Sequence, residues 1–150
     1  MLFRSGPDVD IPAPDMGTTA DMMAWIMTQY GKYHGFSPAC VTGKPVDYHG
    51  IPGREEATGR GVGALTLKLL SRLGRRLPGT RVALQGFGNV GSFTARFLHD
   101  AEFTFVAVSD AGGAYRRDGG LDIPGMLAWA QAHGRSEEHT SELQSPDHLV

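Results

Sequence analysis

An α/β fold is predicted by three features of the 150-residue sequence. Thr80-Arg-Val-Ala-Leu-Gln85 reads as a short buried strand. The turn Gly86-Phe-Gly-Asn-Val-Gly91 follows it without a break. Phe103 to Ser109 is a second strand, dense in aromatic and β-branched residues. With a helix from Val90 to His99 between them, these make a βαβ unit with a right-handed connection and parallel strands. The predicted architecture is a partial Rossmann-type doubly wound parallel sheet, preceded by a separate run of loop and helix.

The elements before this unit follow from local chemistry. Residues 1–16 read as an extended loop, because Pro7, Pro12 and Pro14 each fix φ and disfavour helix in the residue before them. Thr18 or Thr19 can cap a helix with Asp21 in its first turn. Met22, Trp25, Ile26, Tyr30 and Tyr33 recur at helical spacing and are expected to pack into a core; Gly35 is the stop. Residues 35–53 are loop-like. A helix is expected from about Arg54 to Leu73, with Leu65, Leu69, Leu70 and Leu73 as its apolar stripe. Gly59 and Gly63 lie one turn apart on it. Each costs a helix about 1 kcal/mol, a cost that usually accompanies close packing or a ligand against the backbone. Val90, Phe93, Thr94, Phe97 and Leu98 are expected as the inner face of the helix after the glycine turn.

Composition narrows the function. Hydrophobic content of 41% and charged content of 20% are those of a globular protein. A net charge of −2 gives no reason to expect nucleic acid or an anionic membrane as partner. The opening residues lack the apolar core of a signal peptide, and the lone Cys40 fits a reducing cytoplasm, where a small buried filler is its expected role. The histidines show no metal-ligand spacing, and no metal is expected.

The glycine turn carries the clearest chemistry. Gly86 allows the tight turn off the strand, Gly88 lets backbone approach a pyrophosphate, and Gly91 lets the helix pack on the sheet. Backbone N–H groups at the helix start face the phosphates. Asp110 follows about 20 residues past the third glycine, where an acidic residue binds the adenine ribose hydroxyls. Its charge favours NAD over NADP, although Arg116 and Arg117 downstream could offset it.

From about Gly6 to Gly134 the sequence resembles the glutamate dehydrogenase family of amino-acid dehydrogenases. Gly6-Pro-Asp-Val-Asp-Ile-Pro-Ala-Pro-Asp15, Val41-Thr-Gly-Lys-Pro45, Gly53-Arg-Glu-Glu-Ala-Thr-Gly-Arg-Gly61 and Gln85 to Gly91 carry the likeness. Ala57 to Gly61 and the glycine turn favour the glutamate branch over the leucine, valine or phenylalanine branch.

The resemblance implies oxidative deamination of L-glutamate to 2-oxoglutarate and ammonium with NAD, or NADP, in a cytoplasmic homo-oligomer, often a hexamer. It implies that Asp15 shuttles protons at the substrate amine, a role that imine hydrolysis requires. On residue type alone, Asp15 could equally be a helix-preceding cap. It implies further that Thr58 lies near the nicotinamide amide and Asn89 near the cofactor ribose and nicotinamide. Gly86, Phe87, Gly88, Val90, Gly91 and Asp110 complete the expected cofactor-binding set. Residues 1–52 are expected to be the C-terminal part of the substrate domain, and residues 53–134 the N-terminal half of the dinucleotide-binding domain.

Two departures qualify the implication. Family members carry a lysine-bearing, glycine-rich segment upstream of the aspartate loop. The three lysines here, Lys32, Lys44 and Lys68, stand outside any such context, so the fragment itself is expected to be incomplete and inactive. The alternatives are a leucine, valine or phenylalanine dehydrogenase, or a truncated non-catalytic nucleotide-binding fragment. Second, Arg135-Ser-Glu-Glu-His-Thr-Ser-Glu-Leu-Gln-Ser145 matches the translation of a common sequencing adapter, so residues 135–150 are expected to be a non-native tail.

Overall fold

The computed structural model describes residues 5–15 and 17–133; the expected non-native tail lies outside the described residues. The chain divides between Glu55 and Glu56 into two compact units.

The first unit is built on helix α1, Ala20–His34. Thr19 caps it, its hydroxyl accepting the Met22 N–H at 3.4 Å. Gly35 ends it at φ 78° and donates its N–H to the Gly31 carbonyl. The small core of this unit is Met23, Cys40 and Val41, with Met27 and Tyr30 packed against it. Cys40 is thus the buried filler expected. The expected aromatic stripe is not the core. Trp25 is 66% exposed and Tyr33 77%, and Met22 and Ile26 are also exposed. The buried face is rotated by about one residue, onto Met23 and Ala24. Helical spacing gives two apolar stripes here, and the short 3₁₀ turn Pro38–Cys40 covers only one of them.

The second unit carries helices α2 (Ala57–Arg72), α3 (Asn89–Asp100) and α4 (Ile123–His133), and strands β1 (Arg81–Gln85), β2 (Thr104–Asp110) and β3 (Gly113–Arg116). The sheet order is β1-β2-β3. β1 and β2 are parallel as predicted, with a register shift between Val82 and Ala83. β2 and β3 are antiparallel, a hairpin that was not expected, because Gly113 and Arg116 disguise a strand of only four residues. α4 is also additional. Its signals are Asp122, whose carboxylate accepts the Gly125 N–H at 3.1 Å, and Pro124 in the first turn.

The core of this unit holds Ala95 and Leu98 of α3, Phe105 and Val108 of β2, Phe103, Phe87, Ile123 and Ala130. β1 is only half-buried and alternates along its length, since as an edge strand it is covered on fewer sides than a central one. α2 packs on α3 through Gly59 and Gly63, not through the leucine stripe. Leu65, Leu69 and Leu73 are exposed, and Leu67 and Leu70 reach the core. On α3 the inner face includes Thr94 and Leu98 as expected, but Ser92 and Ala95 are buried while Val90 is exposed. The side of α3 that meets Gly59 and Gly63 of α2 carries Val90, Phe93, Thr94 and Phe97, whereas Ala95 lies in the core with Phe105 and Val108 of β2.

Among the described residues, no helix is long and apolar enough to cross a membrane.

Candidate functional site

In the second unit the site is assembled at the C-terminal ends of β1 and β2. Gln85 pairs with Ser109, and the Gly86 N–H donates to the Ser109 carbonyl at 2.7 Å. The glycine turn and Asp110 therefore lie side by side.

Each glycine of the turn has a measurable reason. Gly86 sits at φ 89°, a left-handed conformation that favours glycine. A Cβ on Gly91 would collide with the carbonyl of Gly86, so α3 starts directly against the turn. Gly88 is the N-cap of α3 and makes no side-chain capping hydrogen bond, which leaves no side chain over the helix start. Phe87 buries its side chain in the core, so only its backbone is available at the turn. Asn89 and Val90 are the first two residues of α3.

Asp110 ends β2. One carboxylate oxygen accepts the Ala111 N–H at 2.7 Å. The other, Oδ2, is buried without a hydrogen-bond partner. Buried carboxylate oxygens are normally hydrogen-bonded, so this acceptor fits a hydroxyl-bearing ligand beside the turn. Arg116 is directed elsewhere. It pairs with Ala107 in the sheet, and its guanidinium lies 3.4 Å from Asp118, which also meets Arg81 at the start of β1 at 3.3 Å. That cluster marks the end of the sheet opposite to the glycine turn.

Thr58 stands exposed in the first turn of α2. The next residue, Gly59, lies on α3. A Cβ there would come within 2.6 Å of Phe93 Cβ and 2.7 Å of the Val90 carbonyl oxygen. The first turns of α2 and α3 are consequently in van der Waals contact, bringing Thr58 to the same end of the helix pair as the glycine turn.

In the first unit, Asp15 follows the stiff Pro12-Ala13-Pro14 run and is exposed. Its backbone is fixed from both sides. The Asp15 N–H donates to the Thr18 hydroxyl at 2.7 Å, and the Thr18 N–H donates to the Asp15 carbonyl at 3.0 Å. The helix cap is Thr19, so Asp15 is not the capping residue. Lys44 is buried, at 8% exposed, the buried cation among the described residues of this unit. Its ammonium donates to the carbonyls of Pro38, at 2.8 Å, and Val41. These contacts make Lys44 a structural lysine. A cleft of about 360 Å³ opens beside Thr42, Lys44, His49 and Ile51.

The chain is an α/β protein in which a glycine turn, the start of a helix and a strand-ending acid meet at one end of the sheet, an arrangement of the kind found in dehydrogenase folds. Residues 50–148 match the Glutamate/Leucine/Phenylalanine/Valine dehydrogenase family, and residues 3–32 match the Glu/Leu/Phe/Val dehydrogenase dimerisation domain. The chain belongs to that family.

Its relatives include glutamate dehydrogenase A2 of Halobacterium salinarum, 46% identical over 147 residues, which are 97% of this chain and 35% of the relative. The hetero-hexameric glutamate dehydrogenase of Thermus thermophilus, in a leucine-bound form, superposes with a TM-score of 0.79 at 39% identity, covering 87% of this chain and 32% of that one. The Peptoniphilus asaccharolyticus glutamate dehydrogenase gives 0.74 at 34% identity, covering 87% and 35%. The chain thus spans about a third of the length of these relatives.

Proposed function

We propose that this chain is part of an NAD-linked dehydrogenase that converts L-glutamate to 2-oxoglutarate and ammonium. In this reading residues 1–52 belong to the substrate domain and residues 53–134 to the first half of the dinucleotide-binding domain. The parent enzyme in this reading is a cytoplasmic homo-oligomer; the match of residues 3–32 to a dimerisation domain and the hetero-hexameric Thermus thermophilus relative support oligomerisation as such.

NAD bound at the glycine turn supplies the hydride acceptor. The protein's own groups bind, orient and move protons. The turn at Gly86, Gly88 and Gly91 receives the pyrophosphate against the α3 N-terminus, where the helix dipole and first-turn N–H groups favour negative charge. Asp110 accepts hydrogen bonds from the adenine ribose hydroxyls. Thr58 and Asn89 orient the nicotinamide end. Asp15 takes protons from the substrate amine and returns them as the imine carbon is hydrated and ammonium leaves.

The observation that carries the reading is the buried, unpartnered Oδ2 of Asp110 beside the glycine turn. It is an acceptor waiting for a donor at the place where a ribose would lie. It also favours NAD, because a 2′-phosphate there would meet a carboxylate, and Arg116 is held in the Asp118 cluster at the other end of the sheet.

A second reading is supported by the lysines. Lys44 is locked on carbonyls and Lys32 bonds Gln29 at 3.0 Å, so neither resembles an activated catalytic amine. Taken alone, the chain would be a nucleotide binder without turnover.

The test is to resequence the source DNA outward from the Gly86 codons, express the gene as it stands there, and assay glutamate-dependent reduction of NAD and of NADP. Activity with glutamate and NAD supports the first reading. NAD binding without turnover supports the second. Preference for leucine, valine or phenylalanine moves the chain to a sister branch, and no nucleotide binding removes both readings.

A further inference from the structure

We infer that Lys44 is a positioning residue for Asp15: its buried ammonium locks residues 38–44 into the shape against which the Pro12–Asp15 loop is seated. The inference rests on the proposed proton-handling role of Asp15.

A lysine 8% exposed is costly unless its donors are satisfied. Lys44 Nζ meets the carbonyl oxygens of Pro38 and Val41, six and three residues back along the chain. It therefore closes a compact ring in which Cys40 and Val41 face the core, at 2% and 1% exposure. No regular ladder runs through this segment, so the ammonium substitutes for one. The other side of the ring is held as well, by the Gly50 N–H donating to the Pro45 carbonyl at 2.9 Å.

The ring presents two features to the aspartate loop. The Thr42 N–H donates to the Pro12 carbonyl at 3.0 Å. Next to it Gly43, at φ 78°, lies so close to the Pro14 ring that a Cβ would come within 2.5 Å of its Cγ and Cδ. Pro14 is bonded directly to Asp15. The path from ammonium to carboxylate is thus Lys44 to the Val41 carbonyl, along the chain to Thr42 and Gly43, and across to Pro12 and Pro14. Proline rings transmit the placement because their φ is fixed. Proton transfer depends on geometry first, and a displacement of about 1 Å can cost on the order of 100-fold.

The experiment is a double-mutant cycle in the enzyme expressed from its source gene, with kcat and KM for glutamate and NAD measured for Lys44→Met, Asp15→Ala and the pair. Lys44→Met keeps the stem and removes the donors. If Lys44 acts through Asp15, Lys44→Met lowers kcat roughly 10- to 100-fold with KM for NAD unchanged, and produces no further loss in the Asp15→Ala background.

Equal losses in both backgrounds, or no loss in either, overturn the inference. If Asp15→Ala alone leaves kcat intact, the proposed role of Asp15 fails and the inference falls with it, an outcome the single variant identifies by itself. Should Lys44→Met not fold, Gly43→Ala leaves the ammonium in place and strains the Pro14 contact. The same non-additivity with Asp15→Ala is then expected, and additivity overturns the inference.

Discussion

The Thr94 hydroxyl lies 3.1 Å from the carbonyl oxygen of Gly59 and 2.8 Å from that of Val90. One buried O–H, 3% exposed as a residue, joins the first turns of α2 and α3. These are the turns that carry Thr58 and the proposed phosphate-binding helix start.

Replacing Thr94 by Val keeps its shape and removes that donor. The expected cost is about 1 kcal/mol of stability, the usual net worth of one buried hydrogen bond. Denaturant unfolding should show a lower midpoint at unchanged slope. An unchanged midpoint would mean that the hydroxyl contributes nothing to the joint.

Three glycines on one helix should respond with different signs. Gly61 has nothing within 4 Å of a would-be Cβ, so Gly61→Ala gains helix propensity and stabilises by up to about 1 kcal/mol. At Gly59 the obstruction includes backbone, with the Val90 carbonyl at 2.7 Å and the Thr94 nitrogen at 2.9 Å from the new atom. Backbone cannot rotate away, so Gly59→Ala should destabilise by roughly 1–3 kcal/mol despite its better propensity. Gly63 faces the Phe97 ring, a side chain that can yield, and its substitution should fall between the other two. Thermal melts of the three variants test the order.

Asp110→Asn keeps the oxygen that accepts the Ala111 N–H and removes the charge. NAD affinity should fall on the order of tenfold, the difference between charged and neutral hydrogen bonds, while NADP affinity rises. Titration of both nucleotides reads the ratio. A ratio that does not move would separate Asp110 from the nucleotide altogether.

Burial raises the Cys40 thiol above its ordinary value of 9.0, against a smaller opposing effect from the Lys44 charge. The folded state therefore favours the neutral thiol. Its contribution to stability is complete below about pH 9 and is lost as pH climbs through the raised value. A scan of stability against pH should show this alkaline loss in the parent chain and less of it in Cys40→Ala. Tyr115, also raised by burial above 10.0, adds a later loss common to both. At pH 8 alkylation of Cys40 should be slow until denaturant is added.

The legible parts of the fold are those marked by punctuation. Thr19 and Gly35 bracket α1, Gly86 separates β1 from α3, and the boundaries of β1, α3 and β2 differ from expectation by a single residue. Asp110 was readable as a strand-ending acid because motif spacing and strand pattern agree there. What stayed hidden is a matter of neighbours. Leu65, Leu69 and Leu73 have a helical period, yet Gly59 and Gly63 decide which face of α2 meets α3, because only they allow the close approach.

The role of Lys44 was invisible for a related reason. Its partners are backbone carbonyls, which every residue carries and no pattern advertises. The orphaned oxygen of Asp110 is likewise a property of the folded surroundings, not of the residue.

The close approach of α2 and α3 also shapes how this segment can vary. A glycine codon reaches alanine, aspartate, glutamate or valine by one change at its second base, and each adds at least a Cβ. At Gly59 all these neighbours meet the same backbone atoms, whereas at Gly61, two residues along, the added atom projects into open space. A saturation library scored for folding should therefore show a barred pattern along α2. Depletion would recur at the contact turn and substitutions would be tolerated between, a fingerprint of helix proximity readable from survivor frequencies alone.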